Sequence, residues 1–278
     1  MPMLLCVATL SLLTMSVVPP LLDRLTPGVA PMMRLAAWLA TLVTVLGAVM
    51  GLPAIAMASG RAVTATVLIL PMVLVAQRIR RRYAEFMHNA HEHAQAVNVI
   101  SCSAGEAGSK TRVVTLDSAL PLVYSLPGRP GLVVTTTGVR RRLSSAELQA
   151  VLAHEEAHLR QRHAELRAVV EAVAATLWWS RFFRCVAEHV TAATELCADS
   201  AAARHHHHPH TLARALLALA PAPTGALGAA LTGAAERLEQ LLCRPQRNRF
   251  RQLVVALTAV MPAVAILTIA FWCPLMTP

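Results

Sequence analysis

Uncharged apolar segments alternate with polar stretches along the chain and leave a central region of mixed polarity between them. A helix of roughly 20 apolar residues is long enough to cross a bilayer. The pattern therefore predicts three transmembrane helices within residues 1–77, a globular domain over residues 78–251, and a fourth transmembrane helix with a short tail in residues 252–278. The uncharged segments that we expect to span the membrane cover about residues 3–22, 35–58, 62–77 and 253–275.

Two of these segments have alternative interpretations. The first could be a cleaved signal peptide, but it lacks a basic start and a small-x-small cleavage site before the next span. The segment over residues 62–77 is short enough to be one arm of a re-entrant hairpin. We favour a span, because a stop signal of four arginines follows it: Arg78, Arg80, Arg81 and Arg82.

The composition also indicates a membrane protein. Hydrophobic residues make up 55% of the chain and charged residues only 14%, which is too apolar for an ordinary soluble protein. Aromatic residues make up 4%, so the apolar content is Ala, Leu and Val, which favours packed helices over a β-barrel. The formal charge of +10 reflects arginines that cluster beside the apolar segments, where anionic lipid headgroups attract them. We therefore expect a mainly α membrane protein that contacts the lipid bilayer and does not bind nucleic acid directly.

The distribution of arginines predicts the orientation of these helices. Short loops rich in Lys and Arg stay on the cytoplasmic side of a membrane. One basic cluster follows the third span, and a second, which begins at Arg244, precedes the fourth. We therefore expect a multi-pass protein of the cell membrane whose central domain is cytoplasmic and whose two termini lie outside. Arg24 and Arg34 agree with this orientation, whereas Arg61 disagrees with it.

The central region has the features of a small α+β domain. Residues 113–116 and 132–136 are short β-branched segments separated by Pro-Gly turn signals, which predicts a pair of strands. Ser144 and Glu147 match a capping box, in which the Ser side chain accepts the backbone N–H of Glu147 and the Glu side chain reaches back. We therefore predict a long helix that begins at Ser145.

This predicted helix carries His154-Glu-Glu-Ala-His158, which fits H-E-x-x-H. Histidines four residues apart lie on one face of a helix, so His154 and His158 can bind one zinc ion. Glu155 lies on the adjacent surface and can take a proton from the attacking water. Solvated helices rich in His and Glu also match this short motif, but an apolar stripe that includes Val151 and Leu152 indicates a helix with one buried face.

A catalytic zinc site needs a third protein ligand. Glu195-Leu-Cys-Ala-Asp199 is the best candidate, because its two acids are four residues apart and share one helical face. Glu195 can then bind the metal while Asp199 orients a ligand histidine. The alternative interpretation is a pair of solvated acids. We predict one zinc ion per chain, bound by His154, His158 and Glu195, with Glu155 as the catalytic base.

These segments in combination resemble the BlaR/MecR-type membrane metallopeptidases and, more distantly, HtpX and the CAAX-processing proteases. The resemblance extends over about residues 110–205 and includes the capping box, the H-E-x-x-H motif and the E-x-x-x-D segment. It implies a zincin-like metalloprotease domain of the gluzincin type, in which two histidines and a glutamate bind zinc and the motif glutamate is the base. On this chain those roles fall on His154, His158, Glu195 and Glu155.

The resemblance also implies a strand that binds substrate. In such enzymes an edge strand above the zinc pairs with the substrate backbone, and the segment Thr135, Thr136 and Thr137 is the equivalent here. An ordinary core strand is the alternative. Antibiotic-sensing members carry a penicillin-binding domain after the last span, whereas this sequence stops at Pro278. We therefore do not expect direct sensing of β-lactams.

The leading prediction is a zinc metalloendopeptidase that cleaves a protein or peptide at the cytoplasmic face. The resemblance favours a cytoplasmic transcriptional repressor as the substrate, and turnover of damaged membrane proteins is also compatible with the residues. The alternative is a non-catalytic membrane signalling protein with a structural zinc site. Its fourth ligand would be Cys197 or a histidine of the tract over residues 205–210, although such a tract more often marks a flexible loop.

Overall fold

A computed structural model describes residues 2–100, 111–204, 209–220, 228–243 and 248–272. Within these residues the chain is mostly helical, with a small sheet between the third and fourth helices. The strands are β1 (Thr111–Leu116), β2 (Val123–Leu126) and β3 (Gly131–Thr136). The helices are α1 (Pro2–Leu25), α2 (Pro31–Ala58), α3 (Ala62–Ile100), α4 (Thr137–Arg142), α5 (Ser145–Arg160), α6 (His163–Thr176), α7 (Arg181–Arg204), α8 (Pro209–Leu219), α9 (Gly228–Leu242) and α10 (Arg249–Trp272).

The chain forms two compact units. The first unit comprises Met1–Tyr83, Val169–Val190 and Gln246–Pro278, and the second comprises Ala84–Ala168 and Thr191–Pro245. Three helices, α3, α6 and α7, contribute residues to both units. The predicted helical spans fall in the first unit, and the predicted catalytic residues all fall in the second.

The first unit is built from apolar helices. α1, α2 and α10 pack against one another, and their buried residues include Val7, Ala48 and Ile266. Among the described residues, four helical segments are long and apolar enough to cross a membrane: Met3–Leu25, Pro31–Ala58, Ala62–Val99 and Arg249–Ile269. The predicted helical class is therefore confirmed, and the number of candidate spans is the one expected.

Helix α3 is longer than the span predicted within it. The sequence predicts a span that ends at residue 77, but α3 continues without interruption to Ile100. Arginine has a high helix propensity, so the basic cluster that begins at Arg78 continues the helix instead of ending it. At the other end of the chain, α10 begins at Arg249, before the predicted residue 253. Residues 273–275 of the predicted fourth span lie outside the described residues.

The second unit contains a three-stranded sheet in the order β1-β3-β2. β1 and β3 are parallel, with Val113 opposite Val133, and β2 and β3 are antiparallel, with Ser125 opposite Val133. The predicted pairing of residues 113–116 with 132–136 is thus confirmed. Strand β2 was not predicted, because its four residues are too short a segment to show a clear alternating pattern.

The prediction that the Thr135 to Thr137 segment lies at a sheet edge is wrong. β3 is the central strand, and Thr135 is paired on both sides, with Thr115 and with Val123. The hydroxyls of the next two residues bind the preceding loop: Thr136 donates to the carbonyl of Leu120 at 2.6 Å, and Thr137, the first residue of α4, donates to that of Ser118 at 2.9 Å. A strand paired on both sides has no free backbone groups to offer a substrate.

The same segment requires glycine at position 138. The Gly138 N–H donates to the carbonyl of Ser118 at 2.8 Å. A Cβ atom on Gly138 would stand 2.3 Å from the carbonyl oxygen of Ala119, so only glycine permits this close approach. The close contact holds the start of α4 against the loop that follows β1.

Helices cover the sheet and complete the second unit. Ala94 and Val97 of α3 pack against Val114 and Val134 of the sheet, and α5 contacts β2 and β3. A second core cluster joins α4, α5, α7, α8 and α9. This packing holds α5, the helix that carries the H-E-x-x-H motif, between the sheet and the other helices.

Candidate metal centre

Helix α5 presents the two motif histidines from a well-defined starting point. Its N-cap, Ser144, accepts the backbone N–H of Glu147, whose side chain accepts the backbone N–H of Ser144, so the predicted capping box is confirmed. His154 and His158 follow one turn apart on the same face. His154 is 5% exposed.

Helix α7 brings the third candidate ligand to these histidines. The ligand atoms of His154, His158 and Glu195 all lie within 4.8 Å of one another. Nε2 of His154 lies 3.1 Å from Nε2 of His158 and 3.6 Å from Oε2 of Glu195. Nε2 of His158 lies 3.5 Å from Oε1 of Glu195. Bonds of about 2.1 Å in a tetrahedral zinc site separate neighbouring ligand atoms by about 3.4 Å. The three side chains therefore fit a zinc ion.

Asp199 contacts the ring nitrogen of His154 that faces away from the other candidate ligands, as expected of a residue that orients a ligand. Its Oδ1 lies 2.9 Å from Nδ1 of His154, and its side chain is fully buried. Burial alone would lower the pKa of His154, but Asp199 and Glu195 outweigh it and raise the pKa of His154 to about 9. A metal at Nε2 would have to displace the proton that this pKa keeps on the ring at neutral pH.

The second histidine has a different partner. Nδ1 of His158 lies 2.9 Å from Nδ1 of His163, the first residue of α6. Burial, followed by the nearby charge of His154, lowers the pKa of His158 to about 3. Burial, followed by the charge of Arg167, lowers the pKa of His163 to about 4. Both rings are therefore neutral at physiological pH, and a neutral imidazole is the form that binds metal.

Two arginines hold Glu195, the third candidate ligand. Arg167 Nη2 pairs with Oε1 of Glu195, and Arg237 Nη1 lies 3.1 Å from Oε2. Arg237 also donates to both oxygens of Asp199, at 2.7 and 2.8 Å. Burial would raise the pKa of Glu195, but the hydrogen bond from His154 and nearby positive charges, including that of Arg237, lower it far below its usual range. Both acids of the E-x-x-x-D segment are thus ionised, and neither is the solvated acid of the alternative interpretation.

Glu155 has the environment of a proton acceptor. Burial raises its pKa, while the charge of His154 and a hydrogen bond from Ser125 of β2 act in the opposite direction. A carboxylate whose pKa is moved toward neutrality exchanges protons more readily near neutral pH than an ordinary glutamate does. The arrangement contains three candidate metal ligands and a candidate base, which are the groups that metal-assisted hydrolysis requires.

A comparison with protein families identifies the family of the chain. The family model described as BlaR1 peptidase M56 matches residues 33–241, which is more than half of the chain. The chain belongs to the M56 peptidase family. The resemblance to BlaR/MecR-type membrane metallopeptidases is thereby confirmed, and M56 peptidases are typically metallopeptidases. No curated protein and no solved structure matches the chain.

A cavity adjoins His158, one of the candidate ligands of this M56 peptidase. Its volume is about 530 Å³, and it lies within the second unit. His158 and Arg167 line it from the helices, and Ser125, Pro127 and Gly128 line it from β2 and the turn that follows. The outer strand β2 therefore reaches the same space as one of the candidate metal ligands.

Three residues of the site were not anticipated from the sequence: His163, Arg167 and Arg237. The first two lie four residues apart, five and nine positions after His158. Inspection of the helix that follows the motif for a second polar face could have found them. Arg237 lies on α9, about forty residues after Glu195, in a segment with an ordinary amphipathic pattern. Only tertiary packing reveals that it belongs to the site.

The histidine tract and Cys197 were the candidates for the fourth ligand of a structural zinc site. His205 to His208 of the histidine tract lie outside the described residues, and His210 is exposed near the start of α8. Cys197 is buried on α7. In the described part of the chain, the group with ligand atoms close enough to share a metal contains His154, His158 and Glu195 without Cys197.

Proposed function

We propose that this M56 peptidase is a zinc-dependent endopeptidase, with one zinc ion held by His154, His158 and Glu195. The observation that carries this proposal is the convergence of three side chains: one ligand atom from each lies within 4.8 Å of the other two. The two Nε2 atoms are 3.1 Å apart, and each lies 3.5 or 3.6 Å from one oxygen of Glu195. Glu155 lies on α5, the helix that carries both histidines. Three protein ligands leave a fourth position for water or substrate, which is the arrangement of a catalytic zinc site.

The mechanism assigns each of these side chains a separate task. When bound, zinc polarises the scissile carbonyl and lowers the pKa of the attacking water. Glu155 accepts the proton of that water and later gives it to the leaving amine. Asp199 orients the His154 ring, and Arg237 holds both Asp199 and Glu195 in place.

The substrate is proposed to bind as an extended peptide along β2. This strand is an outer strand of the described sheet, so one of its edges can accept backbone hydrogen bonds. Ser125 of β2 lines the same cavity as His158. Addition of a substrate strand to a sheet edge depends mainly on backbone contacts and gives weak sequence selectivity.

The proposed location of this chemistry is the cytoplasmic face of the cell membrane. The support is the position of two basic clusters, around Arg78 and Arg249, which flank the central domain in the sequence. Both termini would then lie outside. We propose a cytoplasmic repressor as the substrate, with a damaged membrane protein as the competing choice.

The decisive experiment measures zinc content and proteolysis on the same samples of full-length protein in detergent. Self-cleavage and hydrolysis of an unstructured quenched-fluorescent peptide are followed for the wild type, Glu155→Gln and Glu195→Ala. We expect one zinc per chain in the wild type. Glu155→Gln should retain that zinc and lose activity by about 10²- to 10⁴-fold, the usual contribution of a general base. Glu195→Ala should bind zinc more weakly.

Glu239→Gln is the matched control, because it makes the same acid-to-amide change at an exposed position on α9. It should behave as the wild type does. Proteolysis at the wild-type rate by Glu155→Gln would contradict the mechanism. A wild-type protein that holds zinc without hydrolysing peptides, and whose cobalt derivative shows sulfur ligation, would instead indicate a structural site.

A further inference from the structure

The two candidate ligand histidines differ in what contacts their second ring nitrogen. Nδ1 of His154 faces the carboxylate of Asp199. Nδ1 of His158 faces another imidazole, that of His163, with the two Nδ1 atoms 2.9 Å apart. The ring centroids are 4.8 Å apart and the rings are nearly perpendicular, at 79°. This is the geometry of a hydrogen bond in the plane of one ring and not of ring stacking.

The separation of 2.9 Å limits where the proton can be. Two nitrogen atoms at this distance share one hydrogen, so one Nδ1 donates and the other accepts. Nε2 of His158 points toward His154 and Glu195 and must have a free lone pair to bind metal. In that state the proton of the neutral His158 ring is on Nδ1. Nδ1 of His163 is then the acceptor.

We propose that His163 is a positioning residue for the metal site: its unprotonated Nδ1 accepts the Nδ1–H of His158 and so fixes the tautomer and orientation of that ligand. This inference rests on the zinc site proposed above. His163 then supports the His158 ring in the way that Asp199 supports the His154 ring. Partners behind metal-binding histidines hold the ring and raise its basicity.

The local structure keeps His163 in this position. Arg162, at the turn between α5 and α6, has a positive φ of 54°, and α6 begins at the next residue. The turn brings His163 back to His158, and the His163 side chain is 1% exposed. One turn further along α6, Arg167 pairs with Glu195. The first two turns of α6 therefore support two of the three candidate ligands.

The burial of His163 is difficult to explain by packing alone. Its Nε2 is buried and makes no hydrogen bond to any of the described residues. A buried polar atom without a partner destabilises a fold, so an apolar ring would fill the same space at a lower free energy. The other ring nitrogen, Nδ1, explains why a polar ring occupies this position, because it contacts His158.

Matched substitutions separate hydrogen bonding from packing. His163→Phe keeps a ring but removes the acceptor, and His163→Asn removes the ring but places its amide oxygen near the position of Nδ1. The apparent zinc affinity of each full-length variant in detergent is measured by competition with a chelator, and the thermal midpoint of the zinc-free protein is measured beside it. We expect His163→Phe to bind zinc about 10- to 100-fold more weakly, the usual effect of losing such a partner. His163→Asn should stay within a few-fold of the wild type.

His163→Gln provides an independent version of the test, because its amide lies near the position of Nε2 and does not reach that of Nδ1. It should bind zinc as weakly as His163→Phe and serves in its place if the Phe variant does not fold. Wild-type affinity in His163→Phe or His163→Gln would overturn the inference and leave the proposed function intact. Equal weakening in all three folded variants would overturn it too, because ring packing would then be the cause. A wild-type protein that binds no zinc would overturn both proposals.

Discussion

The two units of the molecule differ in the side chains that they expose and bury. In the first unit, large apolar side chains are exposed along the helices, such as Val63 at 79% and Leu267 at 68%. In the second unit, ionisable side chains are buried, such as Asp199 at 0% and His154 at 5%. Apolar exposure on this scale suits contact with lipid tails, whereas buried charges are tolerated only when they are paired. The comparison indicates that the apolar helices of the first unit suit contact with lipid, whereas the second unit buries charged side chains as paired groups.

Two buried hydroxyl groups of the first unit form hydrogen bonds within their own helices. Ser11 and Thr41 sit inside apolar helices and donate to the backbone carbonyls of Val7 and Ala37, one turn earlier, at 2.7 and 2.9 Å. The core of a membrane contains no water to accept hydrogen bonds from hydroxyl groups, and a backbone carbonyl of the same helix can accept them instead. In the second unit, the buried charged side chains pair with each other across different helices, as Arg237 and Asp199 do.

Loss of a charge from the buried cluster of the second unit should have the largest effect on stability. Arg237→Met removes the two hydrogen bonds that Arg237 donates to the buried carboxylate of Asp199 and leaves that carboxylate with its contact to His154. Removal of one partner of a buried pair costs about 3–5 kcal/mol. We expect a decrease of this size in the free energy of unfolding of the zinc-free protein, measured by urea unfolding of the full chain in detergent.

Arg214→Met is the control for that substitution. Arg214 also pairs with an acid, Glu147, at 3.2 Å, but its side chain is 77% exposed. Glu147 is buried, but the Arg214 guanidinium stays in contact with water, so the pair should contribute only about 0–1 kcal/mol. This variant should therefore unfold almost as the wild type does. Equal destabilisation by the two substitutions would show that burial is not what distinguishes the cluster.

A charge placed on the exposed surface of the first unit should have the next largest effect. Val260 lies near the middle of α10 and is half exposed. If this surface faces lipid, Val260→Arg should make insertion of the helix less favourable by about 2.5–3.5 kcal/mol. The measurement is the fraction of chains whose last segment spans microsomes, read from glycosylation of a tag appended to the C-terminus.

An exposed apolar residue replaced by arginine in the second unit provides the comparison. Leu217 on α8 is also exposed. Leu217→Arg should change the free energy of unfolding by less than about 0.5 kcal/mol, as expected for a surface facing water. Normal insertion of the Val260→Arg variant would contradict the assignment of the first unit to the membrane.

The smallest of the predicted effects concerns the start of α5. Ser144→Ala removes the hydroxyl that accepts the backbone N–H of Glu147. Loss of an N-cap typically costs about 1 kcal/mol. We expect a decrease of this size in the free energy of unfolding, measured as for Arg237→Met. Ser145→Ala, one residue later and exposed, is the control and should have little effect; an equal decrease in both would argue against a specific role of the cap.

Local features of the fold and of the site were predictable from the sequence. The apolar segments predicted the helices of the first unit, because a span depends on a continuous run of residues. The capping box predicted the start of α5 at Ser145, because all of its hydrogen bonds lie within four residues. The spacing of His154 and His158 placed both on one helical face for the same reason. Such features depend on neighbours in the chain, so the sequence by itself determined them.

Features that depend on distant parts of the chain were decided only by the tertiary structure. β3 became the central strand because β1 and the unpredicted β2 pair with its two edges, and no pattern within Thr135 to Thr137 specifies this. Arg237 reaches Asp199 and Glu195 only because α9 packs beside α7. His163 meets His158 because the chain reverses at Arg162. Burial and the charged partners that packing brings together then set the pKa values of the site, and both depend on the whole fold and not on any single segment of the sequence.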